Sequence, residues 1–180
     1  MPGREAVLAL TISLALPLAG CGWERLYADP EAAPASAELR AIKVSPIVDR
    51  IGQRLEIALR DALNPTGIPT PYRYVLNTTL VYSLSNLGFQ TQGTATLGQI
   101  DVHSTSILRD AKTGQNILTF TLHEQNSFDL NPNQYSTVVA EDDSQVRAVA
   151  ELSQEIVLRL DQFMQRHLAE PGAKKADAAQ

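Results

Sequence analysis

Residues 98–128 read GQIDVHSTSILRDAKTGQNILTFTLHEQNSF. Two runs of alternating character flank a Lys112-Thr113-Gly114 turn signal, the sequence form of a β-hairpin. In the first run Ile100, Val102 and Leu108 share a face. In the second Leu118, Phe120, Leu122 and Phe128 do. A turn centred on Thr113 sets Leu108 opposite Leu118, Ser106 opposite Phe120 and Val102 opposite Glu124. The other face then carries Asp101, His103, Thr105, Thr119, Thr121, His123 and Gln125. One mainly apolar and one polar, Thr-rich face describe an antiparallel sheet covered on one side only.

Working outward, residues 74–85 alternate in the same way, with Tyr74, Leu76, Leu80, Tyr82 and Leu84 on one face. Residues 39–44 (LRAIKV) read as a further strand, broken by Ser45-Pro46. Between these, Ile51, Leu55, Ala58, Leu59, Ala62 and Leu63 form a helical stripe over residues 50–63. Asp49 stands where it can cap the first turn, and Asn64-Pro65 with Gly67 ends the helix. Residues 137–167 are again helical, with Val146, Val149, Ile156, Val157, Leu160, Phe163, Met164 and His167 near one stripe. Acids toward its start and Arg159, Arg166 and His167 toward its end suit the helix dipole. The predicted order is β-α-β-β-β-α. Two amphipathic helices have one sheet face to cover, which gives an α+β two-layer sandwich on a roughly four-stranded, mostly antiparallel sheet.

The start of the chain has a different character. Arg4 precedes an apolar run over residues 6–16, Pro17 ends it, and Leu18-Ala19-Gly20 leads into Cys21, the only cysteine. The run is shorter than the ~20 residues a spanning helix needs. It resembles a bacterial lipoprotein signal peptide ending in a lipobox, which implies cleavage before Cys21 and a covalent lipid on that residue, with no other cofactor. Four segments follow: a cleaved signal at 1–20, a lipidated and flexible tether at 21–38, a globular domain at 39–168 and a disordered tail at 169–180. The tether is rich in Ala and Pro and is expected to be extended or mobile. Gly22 follows the cysteine where aspartate commonly marks inner-membrane retention in lipoproteins, so the resemblance points to the outer membrane.

Composition narrows the function. The formal charge is −5, with 15 basic and 20 acidic residues, and the basic ones are scattered. That excludes an ordinary nucleic-acid binder. No Gly-x-Ser-x-Gly elbow or phosphate-binding glycine loop is present, and no enzyme activity is expected. His103 and His123 face each other in the hairpin register with Asp101 nearby, and His167 lies on the closing helix. Zinc takes three or four ligands, so two facing histidines are read as solvated strand residues and no metal is expected. Asp142 and Asp143 read as a solvated first helical turn. Arg109 and Lys112 flank the hairpin tip, where cations can pair with phosphate.

The mature start Cys21-Gly22-Trp23-Glu24-Arg25-Leu26-Tyr27, the helix motif Asp49-Arg50-Ile51-Gly52-Gln53-Arg54-Leu55 and Ala140-Glu141-Asp142-Asp143 occur in a recognisable order. Together they resemble the LptE family of lipopolysaccharide-assembly lipoproteins, in its alphaproteobacterial-type branch. Arg25 stands where that branch usually has proline. The resemblance implies a plug and assembly factor seated in or against the outer-membrane β-barrel LptD that can bind lipopolysaccharide directly. Arg109 and Lys112 are the candidate phosphate contacts by charge and place alone, with ordinary turn solubility as the alternative reading. The layout alone leaves open an auxiliary lipoprotein of another envelope lipid-transport system.

Overall fold

The computed structural model describes residues 34–89 and 95–169. Helix α1 (Pro34–Arg40) leads into strand β1 (Ile42–Val44) and helix α2 (Arg50–Leu63). Strands β2 (Tyr74–Phe89), β3 (Ala95–Asp110) and β4 (Asn116–Asp129) follow, and helix α3 (Gln134–Ala169) closes the chain. The four strands form one sheet in the order β1-β2-β3-β4. β1 runs parallel to β2, and the other two pairings are antiparallel. The α+β arrangement is the expected one.

The hairpin register matches the pattern in the sequence. Leu108 pairs with Leu118, Ser106 with Phe120 and Val102 with Glu124. Beyond Leu108 the pairing shifts by one residue, so that Arg109 meets Asn116. Leu76, Ile100, Val102 and Leu108 are fully buried on the covered face. That face also holds Thr78 and Ser106, whose hydroxyls satisfy each other at 3.0 Å. Gly98 pairs with Phe128, and a Cβ there would stand 2.7 Å from Phe128 Cε1 and 2.8 Å from Cε2. Glycine is what lets the ring lie across the neighbouring strand.

Helix α2 buries Ile51, Gly52, Leu55, Leu59 and Leu63. Ala62, counted with that stripe, is exposed. At Gly52 a Cβ would come within 2.7 Å of Ile47 Cγ2, so the missing side chain admits the incoming loop. Asp49 occupies the cap position but makes no side-chain cap bond, and its φ is 70°. The expected cap is therefore corrected: Asp49 holds a positive-φ backbone with ψ 161°, a strained conformation that turns the chain into α2 without a side-chain cap. At the other end the Asn64 side chain donates to Ile42 O at 3.0 Å and Arg40 O at 3.2 Å, which binds the helix to β1.

Helix α3 buries Ala148, Val149, Leu152, Ile156, Val157, Leu160 and Met164 against the sheet and α2. Val146, placed on that stripe by sequence, is instead 48% exposed. It lies two residues from both Ser144 and Ala148, which are buried, and so about 200° around the helix. The tether also needs correction at its end. Residues 34–40 are helical, with Ala35 and Leu39 buried and α1 lying on α3. One i, i+4 apolar pair was too little to show as periodicity. The strand expected from residue 39 consequently shrinks to Ile42–Val44. Among the described residues no helix is long and apolar enough to cross a membrane.

Candidate functional site

With both main helices on one side, the odd-numbered side chains of β2, β3 and β4 form the opposite face. Its rungs are fixed by register: Asn77-Ile107-Thr119, Thr79-Thr105-Thr121, Val81-His103-His123 and Ser83-Asp101-Gln125. Thr79, Val81, His103, Thr105, Thr119, Thr121, His123 and Gln125 are all exposed. Strand geometry sends alternate side chains to opposite sides, so the inward apolar set and this polar set are one decision made by the sequence.

At the centre of this face the His103 and His123 rings stack, with centroids 4.1 Å apart and planes within 5°. Both Nε2 atoms reach Asp101 Oδ1, at 3.0 Å from His103 and 2.6 Å from His123. Gln125 donates to the other carboxylate oxygen, Oδ2, at 2.7 Å. The Gln125 amide, and after it His123, hold the Asp101 carboxyl below the usual carboxylate range. His167 is apart from this group and stacks on Phe163 of its own helix.

The hairpin tip is built around Asp110. Its Oδ1 accepts from the backbone N–H of Lys112 and of Thr113, both at 2.8 Å, and from the Thr113 hydroxyl at 3.2 Å. These bonds, the Thr113 N–H first, lower the Asp110 pKa. Arg109 donates from Nε to Asn116 Oδ1 at 2.9 Å. Arg109 and Lys112 thus share one tip as expected, with an ordered anion between them that weakens the local positive field. Arg109 is six strand residues from His103, about 20 Å along β3, so the tip and the histidine pair are separate features.

Asp142 is not a merely solvated acid. Its Oδ1 accepts from Arg54 Nη2 at 2.7 Å and from Arg50 Nη2 at 3.2 Å. Asp143 pairs with Arg147. Glu141 accepts from the Tyr82 hydroxyl at 3.0 Å, and burial followed by this bond raises the Tyr82 pKa. Helix α3 begins at Gln134, so Glu141, Asp142 and Asp143 stand about two turns inside it and not in its first turn as expected. Glu141 and Asp142 tie this part of α3 to the sheet and to the start of α2.

A family model described as "LptE: Lipopolysaccharide-assembly" matches residues 39–160. The chain belongs to the LptE family. The matched span of this LptE-family chain includes both halves of the Arg50/Arg54–Asp142 contact. No curated protein matches it at the sequence level. Among solved structures it is similar to a chain described as a lipoprotein of Caulobacter crescentus CB15, at 23% identity and a TM-score of 0.61. That likeness covers 75% of this chain and 98% of the other. A minor lipoprotein of Acinetobacter baumannii gives 16% identity and a TM-score of 0.51 over 67% of this chain and 90% of that one. Lipoprotein B of Nitrosomonas europaea gives 12% and 0.52 over 72% and 87%. At such identities these likenesses establish a shared LptE-like fold. Cys21, the lipobox, most of the tether and residues 170–180 of the tail expected at 169–180 lie outside the described residues, while Ala169 is the last residue of α3.

Proposed function

We propose that the protein is an outer-membrane lipoprotein, anchored through lipid on Cys21, that binds an LptD-like β-barrel and lipopolysaccharide and helps insert lipopolysaccharide into the outer membrane. The observation that carries this reading is the family match over residues 39–160. The one-sided sheet is compatible with it, since a polar, uncovered face suits a hydrated barrel lumen. The role is binding and assembly, with no enzymatic step. Affinity purification of the lipidated protein from detergent-solubilised outer membranes is expected to bring down a large β-barrel. Recovery of inner-membrane transporter components in its place would sink the proposal in favour of another lipid-transport system.

Lipopolysaccharide contact is assigned to Arg109 and Lys112. Reversing both to glutamate is expected to weaken binding while leaving the fold intact, because both are exposed and surface changes move stability by about 0.5 kcal/mol or less. Charge pairing with phosphate further requires that wild-type binding weaken as salt rises. The assay is binding of the domain lacking residues 1–21 at two ionic strengths, with circular dichroism to confirm folding. Unchanged binding by a folded double variant removes the tip from the site.

A further inference from the structure

We propose that Asp101, His103 and His123 form a binding site for a divalent transition-metal ion of the zinc type, on the uncovered face of the sheet. Two imidazole nitrogens and one carboxylate oxygen, all within 4.8 Å of one another, converge from two adjacent strands. The expectation of no metal rested on two facing histidines with Asp101 only nearby, and the structure brings the Asp101 carboxylate to both of them.

The spacing is close to what an ion requires. Metal bonds of about 2.0–2.1 Å place tetrahedral ligand atoms about 3.3 Å apart. Here the two Nε2–Oδ1 separations are 3.0 and 2.6 Å. To hold the ion the carboxylate must withdraw and the two imidazoles must turn out of their parallel stack, because a metal lies in the plane of each ring it bonds; both rings are about half exposed, which leaves them room to turn. The register supplies the rest. His103 and His123 are directly paired, and Asp101 stands two residues from His103 on the same face. A one-residue slip would send one histidine into the core.

The surroundings also fit a metal centre. Gln125 binds the carboxylate oxygen the ion does not need, at 2.7 Å, and so orients the ligand from outside. Two imidazoles and a carboxylate suit zinc, whose sites with three protein ligands leave a position for water. Both histidines are about half exposed, so that position faces outward from the sheet. Calcium takes six to eight oxygen ligands and would be poorly served here.

The test is calorimetric titration of zinc chloride into the metal-free full-length chain in detergent, with calcium chloride in parallel. One equivalent of zinc is expected to bind and calcium is not. His103→Ala and Asp101→Asn are each expected to weaken zinc at least tenfold, and Gln125→Leu about tenfold as an orienting group. Imidazole nitrogen resonances of His103 and His123, but not His167, are expected to move on titration. These side chains are outside the core, and circular dichroism verifies that each variant is folded. Absence of stoichiometric zinc binding overturns the site. So does equal binding of calcium, or zinc binding that survives in the His103→Ala/His123→Ala double variant.

Discussion

Serine at position 21 is expected to leave the protein without its lipid and to release it from the membrane. Cys21 is the only cysteine, so no second thiol can take its place as acyl acceptor. Each buried lipid methylene contributes about 0.8 kcal/mol, and one acyl chain alone gives only marginal attachment. On the proposed anchoring, several chains on Cys21 make a firm anchor, and Cys21→Ser would remove all of them together. Mass spectrometry of the mature protein reads the acylation. Fractionation of the envelope reads the retention. Because the proposed barrel binding would also hold the protein at the membrane, the fractionation is repeated in cells lacking the barrel. Continued sedimentation with outer membranes there would refute lipid anchoring at this residue.

The hairpin was legible because a period of two leaves little freedom. Once Thr113 was taken as the turn, every pair from Val102 to Leu108 was determined, including His103 with His123. Helix α2 was legible because its apolar residues repeat over four turns. What stayed hidden depended on partners distant in sequence. Nothing near Asp142 shows that Arg50 and Arg54, about ninety positions earlier, will close on it. Nothing in residues 34–40 shows that Ala35 and Leu39 will find α3. The tip cations were visible, but the role of Asp110 as acceptor for three donors was not, since an acid beside a turn reads equally well as solvated. The third metal ligand was within reach: Asp101 and His103 differ by two positions and share a face. Asp101 is visible beside the histidines in the sequence, but its convergence on both of them is not, because that depends on side-chain direction, which spacing alone leaves open.

The closing helix separates a visible apolar residue from an important one. Leu160→Ala is expected to cost about 2–5 kcal/mol, the range for truncating a buried leucine. Leu160 is fully buried in the cluster that joins α3 to the sheet and α2, so the vacated volume has packed neighbours on every side. Set against the roughly 5–15 kcal/mol that holds a typical domain, such a loss removes a large share of the stability and raises the unfolded population about thirtyfold or more, which lowers abundance in the cell. Val146→Ala, on the same helix, is expected to change stability by about 0.5 kcal/mol or less, because Val146 is half exposed. Both are apolar residues of the same predicted stripe, and only their angle around the helix differs. Urea unfolding of the domain lacking residues 1–21 measures the contrast. The midpoint should fall sharply for Leu160→Ala with an unchanged slope, and barely move for Val146→Ala. Equal losses would mean that α3 is rotated relative to the sheet. Asp142 lies on the same rigid helix, so a rotation would also break its pairing with Arg50 and Arg54. A double-mutant cycle between Arg54 and Asp142 would then show no coupling.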